Sequence, residues 1–340
     1  MSSSAASWHE ARQDALHAQA EELRRVTPAM AANGDVDMAE LIREQPLLNR
    51  PYRMVAFDWD GTAVPSREHP TDALRQRTEA LAREGVWLAV ITGTNMMNLV
   101  EQYFHLLGAE ARRRHLACVN RGSEVIGFDE DGHQEVLHRR TATPGENHRM
   151  DQVARAAHAE LRTYFGLDTR VVFRRFNRRK LDLIPTPEWS DPPKARIDRL
   201  LAAVSDRLAQ AGIEGGIRQV MDRVSRLAED KGIALRLTSD VKHVEFGLTD
   251  KSDSMTFLLD EFAPSHGIST DEILVLGDEF GPIDDLEGSD FRTFRSDGPC
   301  YASVGREPNG VPEGVLHVGG GAELFGAILD RQIEFHKERT

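Results

Sequence analysis

After Pro51 the chain alternates between two textures, and this alternation restricts its fold more than any other feature. RMVAFDW (53–59), VWLAVIT (86–92) and LACVN (116–120) are short apolar runs rich in β-branched and aromatic residues, as buried strands require. Between them, DALRQRTEALAREG and NMMNLVEQYFHLLG carry apolar residues at helical spacing, and Gly85 suits the position just past a helix end. Strand, helix, strand, helix, strand at these intervals predicts βαβ units in a parallel sheet, an α/β fold of Rossmann-like form.

The rhythm breaks near residue 123. SEVIGFDEDGHQEVLH reads as a hairpin turning at Asp131-Gly132, and DQVARAAHAELRTYFG as a helix. TRVVFRRFNRRKLDLIP reads as one or two strands, KARIDRLLAAVSDRLAQAG as a helix, and GIALRLTSDVKHVEFGLT as two more strands. The buried-strand texture returns in DEILVLGDE and PCYASVG, and GAELFGAILDRQIEFHKERT closes the chain as a helix. The partition is a core of residues 51–122 and 246–340 interrupted by an α+β insert, 123–245. Residues 1–50 form a helical extension marked by Trp8, Ala11, Ala15, Leu16, Leu23 and Val26, suited to packing on the body or on a second copy.

Composition excludes several functions. The 340 residues hold 42 Lys and Arg against 55 Asp and Glu, a formal charge of −13. That balance opposes general nucleic-acid coating, which needs a basic surface, yet allows a local site for a small anion. No apolar run approaches the roughly 20 residues that span a bilayer, and the N-terminus lacks the form of a secretory signal. Cys118 and Cys300 stand in apolar runs, as buried thiols in a reducing cytoplasm would.

Four stretches carry the chemistry. In AFDWDGT, Asp58 and Asp60 follow a buried strand and Gly61-Thr62 turns the chain, so both carboxylates reach the carboxyl edge of the sheet. Taken alone, this is also a common Asp-Gly turn. In AVITGTN, Thr92 ends a strand and Gly93 follows, giving a hydroxyl and exposed amides suited to phosphate. Lys251, at the start of the helix after GLTD, opposes the helix dipole unless it faces an anion. In LVLGDEFGPIDD, Asp278 also follows a strand, with Glu279, Asp284 and Asp285 beyond it. Converging carboxylates repel one another unless a cation sits among them. Oxygen donors without a His or Cys pattern favour Mg²⁺ over zinc.

In this order, the stretches resemble the motifs of the haloacid dehalogenase superfamily of phosphatases. The large insert before Lys251 resembles a C2-type cap, as in the Cof-like, trehalose-phosphate and sucrose-phosphate phosphatases and the phosphomannomutases. The resemblance implies that Asp58 is the nucleophile forming an aspartyl-phosphate and that Asp60 is the general acid and base. Thr92 and Gly93 would bind the phosphoryl oxygens with Gly61, and Lys251 would balance charge. Mg²⁺ would be held by the Asp58 carboxylate, the Asp60 carbonyl and Asp278, with Glu279, Asp284 or Asp285 in support. This chain departs from the pattern in its long acidic loop after Asp278, in Thr94 after Thr92-Gly93, and in Arg121, which interrupts a usual Asn-Gly pair.

Substrate choice is expected to lie in the insert. Six basic residues and no acid occupy Arg170 to Lys180, and Arg174, Arg175, Arg178 and Arg121 are the candidates for meeting an anionic substrate. A solvated strand edge whose charge discourages pairing is the plain alternative. The function expected is hydrolysis of a small soluble phosphate monoester, a sugar phosphate foremost, with neither nucleic acid nor membrane as partner. A phosphomutase of the phosphomannomutase type and a non-catalytic binding protein on the same fold are the competing readings. Oligomers through the N-terminal helices or the insert are compatible with either.

Overall fold

The computed structural model describes residues 38–190, 196–283, 286–296 and 298–338. These residues form two sheets. The larger has eight strands: β1 Met54–Asp58, β2 Trp87–Ile91, β3 His115–Val119, β4 Glu124–Phe128, β5 Gln134–Arg139, β10 Ile273–Gly277, β11 Cys300–Ser303 and β12 Val315–His317. Their order is β12-β11-β10-β1-β2-β3-β4-β5. Neighbours from β12 through to β3 are parallel, and β4 and β5 are added antiparallel. All five residues of β1, β3 and β10 are buried. A parallel strand covered on both faces reads as a continuous apolar run for this reason.

Helices cover both faces. α1 (Met38–Glu44), α2 (Asp72–Arg83), α3 (Met96–Gln102) and α8 (Gly321–Lys337, at the C-terminal end of the chain) belong to the core. Leu74, Thr78 and Leu81 of α2 turn inward, and Phe325 of α8 meets Phe57 with ring centroids 5.1 Å apart. The end of the sequence-defined extension joins this body. Ile42 and Leu48 are buried in the core, and the Gln332 side chain accepts from the Tyr52 amide at 2.9 Å and donates to the Arg50 carbonyl at 2.9 Å. The expected helix of residues 1–37 lies outside the described residues.

The smaller sheet is antiparallel, in order β6-β7-β9-β8: β6 Arg170–Arg175, β7 Arg178–Asp182, β8 Arg236–Ser239 and β9 His243–Gly247. α4 (Pro144–Phe165), α5 (Ile197–Gln210) and α6 (Gly216–Asp230) pack on it around their own apolar core, which includes Met150, Leu181, Val204, Val224 and Phe246. α4 starts earlier than its apolar periodicity suggests, because Thr143 and Glu146 form a reciprocal capping box with Pro144 at the first position. α6 and β12 have no counterpart in the sequence reading, although Ile217, Val220, Val224 and Ala228 make a regular buried stripe. The 123–138 hairpin forms as expected but pairs on the edge of the large sheet, so the second sheet begins only at Arg170.

The chain leaves the large sheet after β5, at 140–143, and returns at 247–250, and the return lies against the residues that open the hairpin. A Cβ at Gly122 would fall 1.9 Å from the Asp250 carbonyl oxygen, and the Ser123 and Thr249 hydroxyls are 2.6 Å apart. Asn177, in the turn between β6 and β7, fastens this root. It accepts from the Ala142 amide at 2.8 Å and donates to the Ser123 hydroxyl at 3.1 Å and to the Arg140 carbonyl. Its own carbonyl accepts from the Leu248 amide at 3.0 Å.

His115 of β3 is fully buried, with Nδ1 2.8 Å from the Ala111 carbonyl oxygen and Nε2 2.9 Å from the Tyr103 hydroxyl. Burial lowers its pKa from 6.5 to about 4. Above pH 6.5 the ring is neutral in both the folded and unfolded chain. As pH falls toward 4 the unfolded chain binds a proton that the fold refuses, so stability is lost over that window. The cost approaches about 3 kcal/mol at the acid end. Urea midpoints are therefore expected to fall more steeply from pH 7 to 5 in the wild type than in His115→Gln; equal slopes would refute the assignment.

Candidate active site

Strand register brings the sequence motifs to one edge. Asp58 at the end of β1 pairs with Ile91 of β2, one residue before Thr92, while Phe57 pairs with Leu276, two residues before Asp278. The strand order runs outward in opposite directions from β1, and ligands gather outside the carboxyl ends of strands at such a reversal. Alternation turns Trp59 away from Asp58: its indole donates to the Gln102 side chain at 2.9 Å and packs at a tilt against Tyr103, ring centroids 5.2 Å apart. Gly61, with φ of 98°, makes the turn, and its amide donates to the Val64 carbonyl at 2.7 Å. Asp60 is half-buried beside Arg67 at 3.5 Å.

Lys251 opens α7 (Lys251–Thr256), whose capping box is formed by Asp250 and Asp253. Its side chain is buried, and Nζ donates to Asp58 Oδ1 at 2.7 Å and to Asp290 Oδ1 at 2.6 Å. Burial disfavours the charge, but Asp290 and Asp58 outweigh it and hold the ammonium above its ordinary pKa. Asp290 is likewise buried. Lys251 and the amides of Glu279 and Asp278 keep its carboxyl below the ordinary range against the upward push of burial.

Asp290 is the acid that the sequence reading missed. It follows Asp278 by 12 residues, and its Oδ2 accepts from the Asp278 amide at 2.9 Å and from the Glu279 amide at 3.0 Å. Glu279 thus meets it through its backbone. Asp284 and Asp285 lie outside the described residues. The available signal was the Gly-Ser-Asp sequence, 288–290, a second turn returning to the same edge. Thr62 was also missed; its hydroxyl donates to Asp278 Oδ1 at 3.1 Å.

Carboxylate oxygens of Asp58, Asp278 and Asp290 come within 4.8 Å of one another, the acid cluster suited to a metal among the described residues. With Lys251 already between Asp58 and Asp290, the Asp58–Asp278 side is the one fitted to a cation. Its all-oxygen donor chemistry suits Mg²⁺.

Thr92 is buried, and its Oγ1 accepts from the Thr94 amide at 3.2 Å. Two arginines cover the loop at Gly93. Arg178, from β7 of the insert, donates to the Gly93 carbonyl at 2.7 Å, and a Cβ at Gly93 would meet Arg121 Cγ at 3.5 Å. Asn120 and Arg121 both have φ of 54°, and Gly122 follows at 80°. This left-handed run aims the Arg121 side chain and is costly for the non-glycine residues.

Arg121, Arg178 (3.4 Å) and Lys180 all pair with Glu245 of β9. Burial would raise the Glu245 pKa, but the three cations hold it well below its ordinary value. Burial lowers Arg178 to about 10, with Glu245 opposing. Of the four basic candidates, Arg121 and Arg178 reach the Gly93 loop. Arg174 and Arg175 stand exposed at the end of β6, since the chain turns at 176–177 rather than continuing as one strand.

No protein-family model and no curated protein sequence matches the chain. Solved structures do. An N-terminally truncated Plasmodium falciparum IMP-nucleotidase matches with a TM-score of 0.55 at 11% identity, over 95% of this chain and 82% of that one. An IMP-bound mutant of the same nucleotidase matches at 0.53 and 11% identity, over 87% and 71%. The C-terminal domain of Candida albicans trehalose-6-phosphate phosphatase matches at 0.52 and 12% identity, over 88% and 98%. At such identities the likeness is one of fold. The shared fold is the architecture described above, a large, mostly parallel sheet covered by helices with a second, antiparallel sheet beside it.

Removing Asp290 leaves a buried ammonium with half its counter-charge and two buried amides without an acceptor. Asp290→Ala is expected to lower the unfolding free energy by about 3 kcal/mol in urea denaturation at pH 7. A loss below about 1 kcal/mol, the scale of an exposed pair, would contradict the role given to this contact.

Proposed function

We propose that the protein is a Mg²⁺-dependent phosphatase that hydrolyses a small phosphate monoester through an aspartyl-phosphate. The observation that carries the reading is the buried Lys251 ammonium bound to both Asp58 and Asp290, beside Asp278 and Thr92 at one sheet edge. Phosphoryl transfer needs such positioning and charge neutralisation more than elaborate covalent chemistry.

In this reading, Asp58 attacks phosphorus and forms the new P–O bond as the ester P–O bond breaks. Asp60 gives its proton to the departing alcohol oxygen, then takes one from the water that attacks the aspartyl-phosphate, releasing inorganic phosphate and freeing Asp58. The Thr92 hydroxyl and the Gly93 amide hold the phosphoryl oxygens, and Lys251 balances their charge. The Asp58 and Asp278 carboxylates and the Asp60 carbonyl would hold Mg²⁺, which when bound would supply further neutralisation.

The substrate class proposed is a sugar phosphate, its polar groups meeting Arg121, Arg178 and Glu245 in the closed cleft. The likeness to a trehalose-6-phosphate phosphatase supports this class. The likeness to an IMP-nucleotidase makes nucleoside monophosphates the comparison set. The insert must swing to admit the ester and close to exclude water, about the connections at 140–143 and 247–250 rather than at Gly122-Ser123, which lies within the large body. No helix of the described residues is long and apolar enough to cross a membrane. Work in the cytoplasm is proposed, supported by two buried free thiols.

Phosphate release from a panel of sugar phosphates and nucleoside monophosphates tests the reading. Release is expected with Mg²⁺, to vanish on chelation, and to fall at least about 10³-fold in Asp58→Asn. No release from any ester would refute it, and isomerised product without net phosphate would transfer it to a mutase. Arg178→Ala is expected to raise KM about tenfold with a smaller change in kcat, as loss of ground-state binding does. An unchanged KM would remove Arg178 from substrate contact.

A further inference from the structure

The loop that carries Asp278 presents four successive backbone amides, and two buried carboxylates divide them. Asp290 takes those of Asp278 and Glu279. Glu307, from the turn after β11, takes the next two: Oε1 accepts from the Phe280 amide at 2.7 Å and Oε2 from the Gly281 amide at 2.8 Å. Ser303 at the end of β11 steadies Glu307, donating its hydroxyl to Oε1 at 2.6 Å.

The turn that bears Glu307 is moulded to the Asp278 loop along its length. A Cβ at Gly305 would fall 1.9 Å from the Asp278 carbonyl oxygen, and one at Gly281 would fall 1.9 Å from the Gly310 carbonyl oxygen. Asn309 donates to the Pro282 carbonyl at 2.9 Å. Glu307 itself has φ of 41° and is 8% exposed. A glycine would adopt that backbone at less cost, so what recommends a glutamate is its side chain. The ionic neighbour it feels is His317 rather than a lysine or arginine. Backbone amides and a hydroxyl are what compensate its burial.

We infer that Glu307 is a positioning residue for the cation site: it sets the path of residues 278–281 so that the Asp278 carboxylate faces Asp58 at the separation a divalent cation needs. Groups that orient metal ligands commonly control affinity by about 10- to 100-fold. Glutamine is a poor replacement, because one of its two terminal atoms is an NH₂ that donates and cannot accept an amide N–H. The inference rests on the Mg²⁺ site of the proposed phosphatase and extends it to a residue outside the motifs.

Calorimetric titration of the full chain with Mg²⁺ alone tests it. Glu307→Gln is expected to weaken Mg²⁺ binding at least about tenfold. Ser303→Ala, which removes only the steadying hydroxyl, shifts affinity a few-fold in the same direction. At saturating Mg²⁺, KM for a hydrolysed ester stays within about twofold of wild type, a separation that general loosening of the fold would not produce. Wild-type Mg²⁺ affinity in both variants, or in Ser303→Ala should Glu307→Gln not fold, overturns the inference, as does a wild-type chain that binds no Mg²⁺. A wild-type chain that binds Mg²⁺ but releases no phosphate refutes the phosphatase reading instead, and the titrations still decide the part played by Glu307.

Discussion

A lysine ammonium buried between two aspartates is the interaction on which the rest of this structure turns. Lys251 reaches Asp58 from a helix that begins after the insert, and Asp290 from a loop nearly forty residues later still. Neither carboxylate tolerates that depth alone, and the ammonium does not either. Their mutual compensation ties β1, α7 and the loop after β10 at the sheet edge. The same contact sets Asp58 beside Asp278, where carboxylate oxygens are gathered within 4.8 Å of one another.

Around this centre, negative charge is repeatedly stabilised by directed donors. Asp290 and Glu307 absorb four consecutive amides of the Asp278 loop. Glu245 absorbs two arginines and a lysine over the Gly93 loop. Acidity read as a bulk property of the chain thus becomes, locally, a set of carboxylates whose partners hold backbone in place. The basic residues near the site are similarly committed, since Arg121 and Arg178 are bound to Glu245.

Local patterns were the most legible part of the sequence. The apolar runs 53–59, 86–92 and 116–120 became β1, β2 and β3, and the Asp131-Gly132 turn became the β4–β5 hairpin. These depend on side-chain spacing and turn residues within a few positions of one another. Less legible were α6, whose charged residues mask a regular apolar stripe, and β12, three residues long. The hairpin at 123–138 was legible as a hairpin, but its place on the edge of the large sheet was not, because strand texture does not name a partner.

By itself, the sequence determined that Asp58, Thr92 and Asp278 end buried strands and that Lys251 starts a helix, since strand ends and caps are written in neighbouring residues. Only the tertiary structure decided which acid meets Lys251, which arginines cover Gly93, and that Glu307 holds the Asp278 loop. Those pairings join residues far apart in the chain, where no periodicity connects them. They follow from sheet order and from the need of each buried charge and amide to find a partner.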